Sequence, residues 1–83
     1  MRILYFAWLR EKVGTAEEAV APPAEVATVN DLLGWLAERG GGFAEALADR
    51  SLVRVAVNQT YVDGDHPVAT NDEVALFPPV TGG

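Results

Sequence analysis

The chain has 83 residues, and its twelve Asp and Glu residues against six Lys and Arg residues give a formal net charge of −6. This length fits one domain and makes a deep enclosed cavity unfavourable, so we expect a carrier or binding module rather than an enzyme. The lack of Cys excludes a disulfide framework, cysteine-ligated metals and a thiol nucleophile. The acidic balance disfavours nucleic acid and anionic membranes as partners, because both require a basic surface.

The first element is predicted to be a β-strand. Residues Ile3–Leu9 are rich in branched and aromatic side chains, and the charges at positions 10–12 follow too soon for a signal sequence. Gly14 then indicates a hairpin connection, and residues 16–21 a returning strand that two prolines end. No segment approaches the roughly 20 apolar residues of a membrane span, so we expect a soluble, cytoplasmic protein.

The clearest predicted helix follows Thr28. This residue is a suitable N-cap, and Asp31 occupies the capping-box position three residues later. The apolar side chains at helical spacing are Val29, Leu32, Leu33 and Leu36. Arg39 and the three glycines after it indicate the end of this helix, and a short second helix is predicted over Phe43–Asp49.

Three further strands are predicted in the C-terminal half. Residues Leu52–Asn58 alternate, with the three valines inward and Arg54 outward. A short strand near Tyr61 and Val62 precedes a turn over residues 63–67, and Glu73–Phe77 alternates again. This order predicts an α+β fold, a mixed sheet with one main helix packed on one face.

The face of the sheet without a helix is predicted to be apolar and to dock a protein partner. If Arg2 marks the solvent side of the first strand, alternate residues share that side, and Phe77 faces outward with them. The predicted outward group is Leu4, Phe6, Trp8 and Phe77, framed by Arg2, Arg10 and Arg54. The alternatives are that the first strand has the opposite parity or that a loop covers these residues.

His66 lies between acidic residues of the predicted turn and is the only His in the chain. A transition-metal site normally needs more nitrogen or sulfur ligands. We therefore interpret this segment as a turn and predict no metal site.

The last six residues are predicted to form an extended, flexible tail. Pro78 and Pro79 lack N–H groups and fix φ, so the sheet cannot continue through them. Six extended residues span about 20 Å, and Gly82 and Gly83 can enter a channel too narrow for any Cβ. We divide the chain into a domain over 1–77 and a tail over 78–83; the alternative is that the glycines are simply frayed. The carboxylate of Gly83 is a poor electrophile until another protein activates it, most simply as an adenylate.

These features resemble a known family, the small sulfur-carrying subunits of molybdopterin synthase, which are ubiquitin-like β-grasp proteins. The resemblance spans nearly the whole chain, although residues 16–27 match weakly. The motifs that carry it are Phe6-Ala7 with Arg10-Glu11, Val13-Gly14-Thr15, Val57-Asn58-Gln59-Thr60, Asp65-His66-Pro67, and Asp72-Glu73-Val74-Ala75 followed by Phe77–Gly83. The last of these motifs is highly specific.

The resemblance implies that an ATP-dependent activating enzyme adenylates Gly83 and that a sulfur donor protein converts it to a thiocarboxylate. The tail residues Pro78, Pro79, Val80, Thr81 and Gly82 would then thread into the active site of the large synthase subunit. There the sulfur passes to cyclic pyranopterin monophosphate, and two deliveries build the dithiolene that later holds molybdenum. The chain itself would bind no cofactor, because the activating enzyme uses the ATP.

The same resemblance implies a heterotetramer of two small and two large subunits. A surface formed by Phe6, Arg10, Tyr61 and Phe77 would be shared by the activating enzyme and the large subunit. Two other functions stay open. One is a sulfur carrier for thiamine biosynthesis or tRNA thiolation. The other is a ubiquitin-like binding or modifier module that makes no thiocarboxylate, whose tail forms an isopeptide bond with a lysine or has no chemical role. The Phe-Pro-Pro-Val-Thr run before the glycines favours the pterin pathway.

Overall fold

Five strands and three α-helices are found in residues 1–79, the part of the chain that the computed structural model describes. In chain order these elements are β1 (Arg2–Tyr5), α1 (Ala7–Val13), β2 (Glu17–Ala19), α2 (Val29–Ala37), α3 (Gly41–Ala46), a 3-10 turn (Arg50–Leu52), β3 (Arg54–Val57), β4 (Thr60–Val62) and β5 (Glu73–Phe77). The predictions for Val80, Thr81, Gly82 and Gly83 lie outside the described residues.

The strands form one mixed sheet in the order β2-β1-β5-β3-β4. β1 and β5 are parallel, whereas the other neighbouring pairs are antiparallel. The predicted mixed sheet is therefore confirmed. The first strand, β1, lies beside the last strand, β5, at the centre of the sheet. Since β2 is at one edge and β4 at the other, the polypeptide between β1 and β5 must cross from one edge of the sheet to the other.

The prediction of one strand over Ile3–Leu9 is wrong, because the chain enters helix α1 directly after Phe6. Ala7 has a φ of 54°, which turns the backbone away from the sheet. Leu9 points into the core with 1% of its surface exposed, whereas Trp8 is exposed on the helix and does not belong to the outward side of a strand. The helix has no side-chain cap at Phe6, so the usual start signal is missing.

Helix α2 confirms its prediction. The Asp31 N–H donates to the Thr28 hydroxyl oxygen (3.2 Å), and the Asp31 carboxylate accepts from the Thr28 N–H (3.1 Å). The predicted apolar stripe is buried throughout, with Val29, Leu32, Leu33 and Leu36 all in the core. Backbone N–H groups, first that of Ala27, hold the pKa of the Asp31 carboxyl below its ordinary value.

Helix α3 is offset from the predicted span Phe43–Asp49, since it begins two residues earlier, at Gly41. Gly40 precedes it with a φ of 76°, a positive value that favours glycine. Its ψ of −167° and the right-handed C-cap of α2 at Glu38 differ from the left-handed exit that was expected after α2. Gly42 packs against α1 so closely that a Cβ on it would overlap the Lys12 carbonyl group. The glycine run therefore lies after the end of α2 and opens α3.

The remaining strands agree with their predictions apart from one boundary. β2, β4 and β5 lie where they were predicted, and β3 begins at Arg54 rather than Leu52 because the 3-10 turn precedes it. The core combines the inward sides of the strands with side chains from all three helices. Within residues 1–79, no helix has the length and apolar character needed to cross a membrane.

A polar network joins β1 and β2 to the chain after α2. The Tyr5 hydroxyl, on a side chain that is 2% exposed, donates to the Glu18 carboxylate (2.7 Å). Arg39 donates to both oxygens of Glu18 (2.9 and 2.8 Å), and its guanidinium lies 4.7 Å from the ring centre of Phe43. Burial first, and then Glu18, raise the pKa of Tyr5 well above its ordinary value. Arg39 therefore links β2 to the helices, beyond its predicted role in ending α2.

Candidate functional site

The candidate site is the face of the sheet opposite the core, which we call the uncovered face. Strand register aligns one residue from each of four strands across this face, namely Leu4, Ala75, Ala56 and Tyr61. The alternation of β5 places Phe77 on the same side, and β3 pairs Arg54 directly with it. Leu4 and Phe77 thus lie on the outward side that their parity predicts.

Two aromatic rings form the most prominent feature of this face. The ring centres of Tyr61 and Phe77 lie 5.4 Å apart, with 42° between their planes. Tyr61 is 78% exposed and Phe77 is half-buried. Such a pair offers a partner a large apolar surface with little conformational freedom to lose.

Ala56 and Ala75 place two small side chains at the centre of this face, a feature that sequence analysis missed. Ala56 is buried although it belongs to the outward side of β3, and it pairs with Ala75 in the neighbouring strand. These small side chains leave a shallow strip between Leu4 and Tyr61 that a partner side chain can fill. The signal lies in the register of β3 on β5, which a single strand does not reveal.

Phe6 and Arg10 extend the face at the end of β1. The Phe6 N–H donates to the Leu76 carbonyl oxygen (3.1 Å), which places Phe6 beside Phe77, and its side chain is 47% exposed. The exposed Arg10 lies one helical turn further on, and its N–H donates to the Phe6 carbonyl oxygen (3.4 Å). The structure therefore brings the predicted residues Phe6, Tyr61 and Phe77 to the same end of the sheet, with Arg10 next to them.

A groove with a volume of about 700 Å³ runs beside the aromatic pair. Its lining includes Arg54, Tyr61 and Phe77 of the strands as well as Asp63, Asp65 and His66 of the turn after β4. The His66 carbonyl oxygen accepts from the N–H of the first residue of α2 (2.9 Å), so this turn also supports the helix. Among residues 1–79, no three His, Asp or Glu side chains are grouped in a way that could hold a metal ion.

The tail begins at this same end of the molecule. β5 ends at Phe77, and the half-buried Pro78 and Pro79 follow it. The threading residues Val80, Thr81 and Gly82 and the modified residue Gly83 are outside the described part of the chain, so their roles stay predictions.

Comparison with known proteins gives full-length similarities. A model described as the ThiS family matches residues 3–83. The chain is 48% identical over 83 residues to the molybdopterin synthase sulfur carrier subunit of Escherichia coli (strain K12), covering 100% of this chain and 99% of that protein. The counterpart in Haemophilus influenzae is 39% identical with the same coverage. The crystal structure of small archaeal modifier protein 1 from Haloferax volcanii has a TM-score of 0.75 and 31% identity, and the match covers 96% of this chain and 97% of that one.

Proposed function

Because this chain belongs to the ThiS family and, within it, to the molybdopterin synthase sulfur carrier subunits, we propose that it carries sulfur for molybdenum cofactor biosynthesis on the carboxyl group of Gly83. Its fold is the ubiquitin-like β-grasp, as predicted. The observation that carries the proposal is the 48% identity with the carrier subunit of Escherichia coli over the full chain. The Phe-Pro-Pro-Val-Thr-Gly-Gly terminus supplies the group that the chemistry requires.

Activation converts an unreactive carboxylate into an acyl donor. An oxygen of the Gly83 carboxylate attacks the α-phosphorus of ATP, and pyrophosphate leaves. A sulfur nucleophile at the oxidation level of sulfide then adds to the acyl carbon, and AMP leaves as the C–O bond to it breaks. These steps belong to an activating enzyme and a sulfur donor protein, and the carrier contributes the acyl group.

Delivery takes place on the large synthase subunit. The thiocarboxylate sulfur bonds to a carbon of cyclic pyranopterin monophosphate as the C–O bond at that carbon breaks and the oxygen group leaves. Water then cleaves the acyl–sulfur bond, which restores the Gly83 carboxylate and leaves the sulfur on the pterin. A second carrier supplies the other sulfur of the dithiolene. With a net charge of −6, the carrier is poorly suited to hold a phosphorylated pterin, so we assign the catalytic and phosphate-binding groups to the large subunit.

The uncovered face of the sheet positions the tail for this delivery. Phe6, Arg10, Tyr61 and Phe77 form the docking surface, and Phe77 directly precedes Pro78. Six extended residues place the acyl carbon up to about 20 Å beyond the sheet. Docking through Phe77 therefore sets the point from which the tail enters the partner.

Intact-mass spectrometry tests the carrier step. We expect incubation with ATP, an activating enzyme and a sulfur donor to give a mass gain that corresponds to replacement of one oxygen by sulfur. A variant that lacks Gly82 and Gly83 should show no gain and should melt at nearly the same temperature as the wild type. No gain in the wild type, with an activating enzyme proven on another carrier, would contradict the proposal.

The pathway is tested with the thiocarboxylated protein, purified large subunit and cyclic pyranopterin monophosphate. We expect conversion of the pterin and return of the carrier to its original mass. A thiocarboxylated carrier that leaves the pterin unchanged would instead favour thiamine biosynthesis or tRNA thiolation.

The likeness to a small archaeal modifier protein favours one second candidate, a protein modifier. In that function a lysine amine of a target attacks the acyl carbon of the adenylate, AMP leaves as the C–O bond to it breaks, and an isopeptide bond forms. The two functions are distinguished by adding ATP and activating enzyme to a cell extract. Covalent conjugates ending in a Gly-Gly remnant on lysine would support the modifier function, and the oxygen-to-sulfur mass gain supports the carrier.

A further inference from the structure

Arg54 occupies a distinctive place on the uncovered face. Register pairs it with Phe77, the last residue of β5, and its side chain is exposed. It also borders the groove beside the Tyr61 ring. Arg54 therefore lines the same groove as both aromatic rings, and its backbone pairs with the residue that directly precedes Pro78.

Within residues 1–79, Arg54 is one of three arginines, with Arg10 and Arg50, that form no ion pair. Arg2 and Arg39 each bind a glutamate, at 2.6 and 2.8 Å. Among the residues that the structure describes, Arg54 forms no ion pair, although the chain is strongly acidic. Asp63 and Asp65 border the same groove, yet neither carboxylate comes within 4.0 Å of Arg54.

A partner that covers the aromatic pair would also remove water from Arg54. A guanidinium that loses its hydration without gaining an anion destabilises a complex strongly, whereas a carboxylate restores the lost interactions through two parallel hydrogen bonds. Asp63 and Asp65 also line the groove and repel an anion that comes near them. The favourable position for an incoming carboxylate is therefore next to Arg54, from which both aspartates are more than 4.0 Å away.

We propose that Arg54 binds a carboxylate of the large synthase subunit when the uncovered face docks, in a two-bond ion pair beside Phe77. This inference rests on the proposed function, because it takes the large subunit as the partner. The pair joins a positive side chain of an acidic carrier to a negative group of the partner, and so selects one orientation of the complex. Since Arg54 neighbours the residue before Pro78, that orientation also directs the tail.

The test is the dissociation constant of the full-length carrier with purified large subunit, measured by calorimetry at low and high salt. We expect Arg54→Ala to weaken binding by roughly 10- to 100-fold and Arg54→Lys to weaken it less, because lysine keeps the charge but loses the planar fork. The wild-type affinity should fall with salt more steeply than that of Arg54→Ala. Arg2→Ala is the matched control on the same face, and we expect at most about a threefold change, because Arg2 already binds Glu17.

Charge reversal identifies the partner group. We expect Arg54→Glu to bind weakly and to regain affinity when one Asp or Glu of the large subunit is replaced by Arg. Equal affinities and equal salt dependence for the wild type and Arg54→Ala would overturn the ion pair, while sulfur transfer by the wild type would leave the proposed function standing. A wild type that gains no sulfur and does not bind the large subunit would overturn both.

Discussion

Replacing Phe77 by Ala should separate docking from folding, because adjacent residues of β5 face opposite sides of the sheet. Leu76 is completely buried in the core, whereas Phe77 is half-buried on the uncovered face and packs on Tyr61. The same chemical truncation at these two neighbouring positions therefore removes contacts of different kinds. Leu76→Ala is the matched control variant.

The expected magnitudes follow from this burial. Leu76→Ala removes core contacts and should cost about 2–5 kcal/mol in the free energy of unfolding. Phe77→Ala loses about half the burial of a phenylalanine, ~1 kcal/mol, and an aromatic pair worth ~0.5–1.5 kcal/mol, so we expect a cost of about 2 kcal/mol. A domain of this length has a stability of only about 4–12 kcal/mol, so the loss in the Leu76 variant is a large part of the total.

Binding should show the opposite order of effects. Phe77 is a central aromatic residue of the docking surface. Truncation of such a residue reduces the binding free energy by about 2 kcal/mol or more, which makes the dissociation constant roughly 30-fold larger. Urea unfolding gives the stabilities, and calorimetry with the large subunit at a temperature where both variants are folded gives the affinities. If Phe77→Ala destabilises the domain as much as Leu76→Ala, or binds like the wild type, the assignment of Phe77 to a docking face is refuted.

Three other perturbations test the fold that supports this face. A Cβ on Gly42 would lie 2.8 Å from the Lys12 carbonyl carbon, so Gly42→Ala should lower the free energy of unfolding by about 1–3 kcal/mol. A Cβ on Gly34 in α2 meets nothing nearer than 3.8 Å, so Gly34→Ala should raise the free energy of unfolding by about 0.5–1 kcal/mol. Calorimetric melting temperatures that shift in the same direction for both variants would contradict the close approach at Gly42. Because burial raises the folded pKa of Tyr5, the free energy of unfolding of the wild type should fall above pH about 10 by up to ~1.4 kcal/mol per pH unit. Urea unfolding should show a shallower decline with pH for Tyr5→Phe. Parallel stability curves for the two proteins would refute this prediction. The pKa of Asp31 is lowered in the folded state, so its carboxylate stabilises the domain at pH 7 and loses this effect as the pH falls through the folded pKa. The difference in melting temperature between the wild type and Asp31→Asn should therefore narrow as the pH falls below about 3.9, the ordinary value for Asp, and a constant difference would count against the charged cap.

Elements with a complete local signal could be predicted from the sequence. Helix α2 has its capping box at Thr28 and Asp31, and β5 alternates strictly between buried and partly exposed residues. The three valines of the predicted β3 segment are inward as expected. Helix α1 lacked such a signal, because an apolar run suits either period and Phe6 makes no side-chain cap. The left-handed turn at Ala7 depends on tertiary packing, which no local pattern reveals.

The candidate site could likewise be predicted only in part from the sequence. The outward direction of Phe77 follows from alternation within one strand. The low strip at Ala56 and Ala75, and the position of Arg54 beside Phe77, depend on the register between strands far apart in the sequence. The chemistry assigned to Gly83 came from its motif and from family resemblance, since no physical pattern in a Gly-Gly terminus specifies sulfur.

The central position of β5 determines when the domain can fold. β1 finds its parallel neighbour only in β5, and β3 pairs with the other edge of that strand. Val74 and Leu76 of β5 are also fully buried in the core. A growing chain therefore cannot complete its sheet until its last strand has been synthesised, and such long-range pairing makes folding slower than local helix formation. The docking surface thus forms only after the strand that leads directly into the tail has taken its place.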